Sequence, residues 1–497
     1  MATSDRKPPL FPSTRLTLAA LCFVGCLVTY ALRTNMSMAI VCMVRRAGSG
    51  NGTEAKKSEC APTVSILEEP QHLPTDPIIA GEFDWSEDVA GSILGAFFNG
   101  YLCSQVLGGY LATRFGGKRV ILYTVLGSSV LTLLSPIAAR THHWLLYGLR
   151  IVIGFLQGAT FPAMHTMWAL WGPPLERSVL TGVSYAGAQI GNMLVLSIAG
   201  VLCERGFDGG WPSIFYSFGV LGVLWCGLWH FFTSDRPSTH KRISKEERDY
   251  IEGSLEETMG KSTDKPPATP WLKMLTSRAV WACWLGHFAG DWGAYTMMTV
   301  LPSFLKDVLG VSLSSLGFLS AAPYLAYFIA INCGGAAADT LREKRILSTL
   351  NTRRLAMVLA LVGQAVFLVL AAHCNCGQET LFIIFLIIGT GISGFQYSGF
   401  VVNYLDIAPP FSGTIMGIGN TLSCFGGMLS PIITKKLTPN GTRGEWQVIM
   451  WLTGGILVVG AALFALLAKG EVEEWAKVKP SEKVEEEVPL QEKDNQA

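Results

Sequence analysis

An all-α integral membrane protein is the fold class this chain predicts, and three observations carry it. Half of the 497 residues are hydrophobic and only 15% are charged, against about 25% charge in a typical soluble domain. Mean hydropathy is +0.37. The apolar residues are gathered into long runs separated by short polar breaks. A crossing needs roughly 20 apolar residues, and runs of that length are too long for buried strands. They predict about twelve spans, at residues 16–40, 88–111, 119–139, 144–168, 179–203, 211–233, 279–304, 313–337, 354–373, 380–404, 411–434 and 447–468.

The first run is too long for a cleavable leader and lacks a cleavage site, so it is expected to remain as a helix after a short tail, residues 1–15. Basic loops between spans stay cytoplasmic. Thr113–Arg119 ("TRFGGKR") and Leu341–Arg345 ("LREKR") fall on one side if the N-terminus is cytoplasmic. The glycosylation sequons at Asn51 and Asn440 then fall on the lumenal side, which agrees. Residues 45–87 form a lumenal loop expected to be mobile. Residues 234–276 form a mixed-charge cytoplasmic linker whose Ser244–Glu257 portion suits a short surface helix. The linker divides an N-terminal six-helix bundle (16–233) from a C-terminal one (277–468). An acidic, Lys-bearing cytoplasmic tail follows at 469–497.

The two halves echo each other. Gly108–Arg119 ("GGYLATRFGGKR") follows the second span and Gly334–Arg345 ("GGAAADTLREKR") follows the eighth. Each has paired glycines, then small residues, then a basic turn. Such a repeat is expected of transporters built from two related bundles. A formal net charge of +1 gives no basic surface for nucleic acid. The 12 cysteines show no paired metal-ligand spacing. Most lie inside spans, where Cys behaves as a small apolar residue. Cys374 and Cys376 share a short loop without further zinc ligands nearby.

The repeated loop resembles the loop motif of the major facilitator superfamily, and Leu149–Ala163 ("LRIVIGFLQGATFPA") looks like its fourth-helix motif. Narrower features are similar to its anion:cation symporter family, that of sialin and the vesicular glutamate and sodium/phosphate transporters. These are "YALRTNMSMAI", "FDWS" (Phe83–Ser86), "FPAMHTMWALWGPPLERS" (Phe161–Ser178), "SYAGAQIG" (Ser184–Gly191), "NYLDIAPPFSGT" (Asn403–Thr414) and "AKGEVEEWA" (Ala468–Ala476). The sialin-like branch is the nearest resemblance. It implies the major facilitator fold and a proton-coupled symporter of sialic acid or acidic amino acids working by alternating access. It also implies a small organic anion and the lipid bilayer as partners, a monomer, and a lysosomal or vesicular membrane, with the plasma membrane as the other address. No cofactor is expected; the coupling ion is H+, or Na+.

Arg33 is the only charged residue in Leu16–Val44. A charge at the bilayer centre costs from a few to more than ~10 kcal/mol. Arg33 lies about 17 residues into its span, roughly 25 Å along the helix. It either snorkels to the lumenal interface or faces a wet cavity and binds an anion. Its planar fork suits a carboxylate, and the resemblance places a substrate arginine here. Tyr30 shares its helical face. Tyr101, Tyr295 and Arg150 are the other candidate substrate contacts, each weighed against ordinary packing. The resemblance gives Arg150 a second role in coupling.

The chain departs from its relatives at Ile153 and Gln157, where sialin-like and glutamate-carrying members have acidic residues. Neither can titrate. Gln157 matches the phosphate and urate branch, so a sodium-coupled phosphate or urate transporter is the alternative. Leu94 and Gly290 stand where glutamate transporters carry His and Arg. Asp291, an intramembrane carboxylate in the seventh span, is the candidate replacement for the missing acids, either as a proton carrier or as a bridge to Arg33 or Arg150. His165 reads as a packing histidine or a pH-sensitive one. Arg114, Glu176, Arg177, Asp339 and Asp406 lie at cytoplasmic helix ends and read as gate or structural contacts. No nucleophile–base or metal constellation is visible, so an enzyme is not expected. An anion channel is the remaining class.

Overall fold

A computed structural model describes residues 7–45, 81–259, 268–307, 313–374, 378–439 and 442–477. The sequons at Asn51 and Asn440 and most of the 45–87 loop lie outside the described residues. The first half comprises α1 (Thr14–Met43), α2 (Glu87–Phe115), α3 (Gly117–Thr141), α4 (His143–Gly158), α5 (Thr160–Trp171), α6 (Arg177–Arg205) and α7 (Trp211–Phe232). Two linker helices follow, α8 (Lys245–Met259) and α9 (Trp271–Thr276). The second half comprises α10 (Arg278–Asp307), α11 (Leu313–Glu343), α12 (Thr349–Ala372), α13 (Glu379–Ser393), α14 (Phe400–Ile407), α15 (Ser412–Leu437) and α16 (Arg443–Leu467). Each of the predicted spans coincides with one helix, or with two in the cases of α4/α5 and α13/α14. Among the described residues, 8 helical stretches are long and apolar enough to cross a membrane.

Two of the spans are irregular, at matching places in the two halves. In the fourth, Ala159 at the junction of α4 and α5 departs only slightly from α-helical geometry, with φ −79° and ψ −16°. The tenth passes through a 3-10 turn at Gly394–Ser398 between α13 and α14. Gly399, just after that turn, is non-helical with φ −89° and ψ −105°, and such backbone at membrane depth is tolerated only where protein or a wet cavity surrounds it.

Within the first half α1 packs on α6 and α7, α2 on α4, and α3 on α4 and α7. Within the second, α10 packs on α15 and α16, and α12 on α13 and α16. The halves meet along α2/α15 and α6/α11. Glycine sets the closeness of α2 and α4. A side chain at Gly100 would strike the Ile151 carbonyl, and one at Gly154 the Phe97 carbonyl. Such contacts replace the hydrophobic drive that helices lack inside lipid.

The helix ends form two faces. The face with both basic loops gathers most of the charge, described below. On the opposite face, Phe83 N–H donates to the Met43 carbonyl at 2.9 Å and Arg45 N–H to the Phe83 carbonyl at 2.9 Å, which ties the segment before α2 to the end of α1. A Cys42–Cys203 disulfide joins α1 to α6 there. This pair corrects the reading of the cysteines as merely small apolar residues. Its members are 161 residues apart, so no spacing in the sequence could reveal it.

Glu82 on this face accepts from Arg140 Nε at 2.9 Å and from Trp211 Nε1 at 2.8 Å, while Arg140 also reaches Asp208 at 2.9 Å. Burial alone would raise the Glu82 carboxyl, but the bonds from Arg140 and Trp211 outweigh it and hold the group below the ordinary value of 4.5. A depressed carboxylate contributes stability that is complete above the unfolded value and is lost as pH falls through the folded one. The Glu82→Gln protein is therefore expected to melt below the wild type by the same small margin from pH 7 to pH 5, because the pair is half-exposed and screened. The margin closes below about pH 4. Thermal unfolding in detergent across this range checks it; a margin already gone at pH 5.5 contradicts the depressed value.

Candidate functional site

Between the halves lies a cavity of about 370 Å³, walled by α1, α2, α5, α6, α10–α15 and the 3-10 turn. Its size is in the range of small-molecule sites. Tyr30, Arg33, Tyr101, Asp291 and Tyr295 all line it, together with Phe161, Tyr185, Tyr324, Tyr327, Tyr397 and Phe400. Side-chain amides from both halves interrupt the aromatic wall: Gln189, Asn192, Gln364, Gln396 and Asn420.

Arg33 does not snorkel. Its guanidinium carbon sits 5.0 to 5.5 Å from the ring centres of Tyr30, Phe97, Phe98 and Tyr101. Arg33 donates a hydrogen bond to the Tyr295 hydroxyl of α10, in the other half. Among the described residues no carboxylate lies within 4.0 Å of it. The aromatic faces shield the charge from lipid and partly offset its desolvation, but they leave the planar fork without an anion. A bound carboxylate is the acceptor to which such a fork donates two parallel hydrogen bonds.

The tyrosines are themselves positioned. Tyr101 stacks on Phe97, and its hydroxyl accepts from Asn420 Nδ2 at 3.0 Å across the interface between halves. Tyr327 accepts from Gln396 Nε2 at 2.6 Å. Tyr30 meets Phe161 edge-on.

Arg150, grouped with these residues from the sequence, is placed behind the cavity. It is 3% exposed, its Nη2 donates to the Arg33 carbonyl at 3.1 Å, and its guanidinium lies over Phe97. It braces Arg33 and does not line the site. Ile153 is packed with Phe97 and Tyr101. Gln157 is buried, and both its amide atoms lack a hydrogen-bond partner among the described residues.

Asp291 forms no ion pair with Arg33 or Arg150 among the described residues, which corrects the expectation of a bridge to either. Its partner is His287, whose Nε2 lies 3.3 Å from Asp291 Oδ2 one helical turn away. His287 also lines the cavity, stacks on Phe400 and reaches the Tyr404 hydroxyl at 3.2 Å through Nδ1. Sequence reasoning passed over His287, although its i,i+4 spacing to Asp291 was the available signal.

His165 lies just off the cavity, with Nε2 at 3.0 Å from the Val401 carbonyl and Nδ1 bonded to the Tyr185 hydroxyl. It therefore ties α5 to α14 across the two halves.

At the basic face the expected gate residues come together. Asp406 accepts from Arg353 Nε at 2.7 Å and pairs with Arg177 at 3.7 Å. Arg353 also donates to Ser178 Oγ at 2.8 Å, and Arg177 to the Leu405 carbonyl at 3.0 Å, so the cluster joins the halves. Asp339 accepts from the Val179 N–H at 2.8 Å, at the start of α6. Glu176 pairs with Arg15 at 2.6 Å, and Arg15 with Glu247 of the linker at 3.1 Å. Arg114 is the exception to the expected set. It is exposed, forms no ion pair among the described residues and stays outside this network. Arg353, Arg15 and Glu247 were the members not anticipated.

A two-half helical fold enclosing an anion-ready cavity, closed by polar bonds at one face, defines a membrane-spanning transporter. The Major Facilitator Superfamily profile matches residues 72–431 and 346–493. The chain is 59% identical to "Uncharacterized transporter slc-17.2" of Caenorhabditis elegans, covering 99% of this chain and 98% of that one. It is 42% identical to human sialin over 94% and 92% of the two chains. It is 34% identical to vesicular glutamate transporter 1 of Xenopus laevis over 93% and 76%. Among solved structures, a proton:xylose symporter superposes with a TM-score of 0.66 at 15% identity, over 92% of this chain and 96% of that one, a likeness of fold. The chain belongs to the major facilitator superfamily, and within it to the anion-transporter family of sialin and the vesicular glutamate transporters.

Proposed function

We propose that this protein is a secondary active symporter that moves an organic anion, sialic acid or an acidic amino acid, together with a proton. One observation carries the reading: a guanidinium faces an aromatic cavity with no carboxylate within 4.0 Å of it among the described residues. Arg33 anchors the cargo carboxylate, Tyr30, Tyr101 and Tyr295 pack and hydrogen-bond around it, and Asp291 is the coupling carboxylate. The contacts of Asp406, Arg177, Arg353 and Asp339 hold the basic face shut and break when the carrier opens there. With that face cytoplasmic, the carrier exports from a lysosomal or vesicular lumen, where acidity drives the proton outward with its cargo. Gln157, shared with the phosphate and urate branch, favours a second reading, sodium-coupled phosphate transport.

Counterflow in proteoliposomes separates the two. Purified protein is loaded with unlabelled sialic acid, glutamate or phosphate and challenged with the labelled compound under an imposed pH or sodium gradient. The first reading expects exchange of an organic anion, with accumulation driven by the pH gradient alone. Sodium-driven phosphate uptake without organic-anion exchange overturns it.

A further inference from the structure

We propose that His287 and Asp291 load the coupling proton as one unit, with His287 as the half that fixes the pH at which loading occurs; this rests on the transport function argued above. The geometry is that of a relay. The Tyr404 hydroxyl, His287 Nδ1 and Nε2, and Asp291 Oδ2 follow one another at 3.2 and 3.3 Å. The ring cannot swing away. It is stacked on Phe400 at 4.4 Å between centres, and Gly419 of α15 packs so close that a side chain there would meet both Tyr404 and His287.

The proton count closes. In the unloaded pair, Tyr404 O–H donates to Nδ1, and Nε2–H donates to the carboxylate, for a charge of −1. One added proton makes the pair neutral, as imidazolium with carboxylate or imidazole with carboxylic acid. Tyr404 then turns to accept from Nδ1–H. Unloading reverses the step, and no other reactant is needed. An isolated carboxylate titrates near 4 and an isolated imidazole near 6.5. Sharing one proton between an imidazole and a carboxylate makes the two groups a single coupled site.

The surroundings favour sensitivity to cargo. Lining the same cavity as the pair are Arg33 and Tyr30 on α1, Tyr295 on its own helix, Tyr327 on α11 and Tyr397 in the 3-10 turn. His165 on α5 and Cys424 on α15 stand further off. Asp291 is the one carboxylate and Arg33 the one guanidinium among the described lining residues, with Arg150 held behind Arg33. An anion seated on Arg33 enters the field of Asp291 and raises the pair's proton affinity. By linkage a loaded proton raises anion affinity by the same factor. The two sites lie on different halves, so closure of the cavity strengthens both.

The test uses full-length protein in proteoliposomes and labelled sialic acid counterflow, read as KM from pH 7.5 to pH 5.0 in sodium-free buffer. If sialic acid does not exchange, labelled glutamate serves as the probe. In the wild type, KM is expected to fall roughly tenfold as the pH drops. In His287→Gln, exchange persists at a reduced rate, but the midpoint of the KM response moves acidward by about one unit or more. In Asp291→Asn the response is flat. Tyr404→Phe, which keeps the ring stack, moves the midpoint by at least about half a unit. It carries the test if His287→Gln fails to purify as a single species. A wild type that exchanges neither anion overturns the function reading and this one with it. Wild-type exchange with an unmoved midpoint in His287→Gln, or in Tyr404→Phe where that variant stands in, overturns this inference alone.

Discussion

Replacing Arg33 with glutamine is expected to weaken cargo binding by at least about 30-fold, the equivalent of ~2 kcal/mol or more. Among the described lining residues the cavity offers a carboxylate no other guanidinium. Arg150 is turned to the Arg33 carbonyl, and the amides of Gln189, Asn192 and Asn420 are neutral donors. Losing the cation strips a charge-assisted pair in a cavity walled largely by aromatic rings. Arg33→Lys is expected to fall between the wild type and Arg33→Gln, because lysine keeps the charge but not the two parallel donors. The rings around Arg33 remain in both variants, so the protein should stay folded and the loss should appear as KM in counterflow. A Gln variant with wild-type KM and turnover removes Arg33 from the site.

Asp406→Ala is expected to be the most destabilising single change at the basic face, by about 3–5 kcal/mol. Asp406 is 5% exposed and balances Arg353 and Arg177, both essentially fully buried. Truncation leaves two guanidinium groups with carbonyl and hydroxyl partners only. Arg353 already spans the halves through Ser178 Oγ, so thermal unfolding should show a lower midpoint, and cross-linking between α6 and α12 should decline. Asp406→Asn keeps the shape and one acceptor, and should lose less. Equal melting of Asp406→Ala and wild type would mean that the cluster does not hold this face.

The helices were legible in the sequence because the bilayer imposes one length and one polarity on every crossing. Arg33 and Asp291 stood out for the same reason, as charges where charge is costly. Other features depend on contacts between distant segments. Arg150 and Arg33 look alike in the sequence, yet one faces the cavity and the other its partner's carbonyl, which only the α1/α4 packing decides. Arg114 sits in a basic motif like that of Arg342 but forms no ion pair among the described residues, whereas Arg342 pairs with Asp339. The first motif has Thr113 where an acid would stand. The irregularity at Ala159, by contrast, has a local cause: Pro162 has no N–H to give to the carbonyl of Gly158, one turn earlier.

The Cys42–Cys203 bond has a practical corollary at the bench. Protein made in a reducing host, or purified with excess thiol, is a chemically different molecule in which α1 and α6 are no longer stapled. Two laboratories comparing turnover or melting should first compare their free-thiol counts, because a discrepancy between batches can begin with sulfur oxidation state before any mutation is considered.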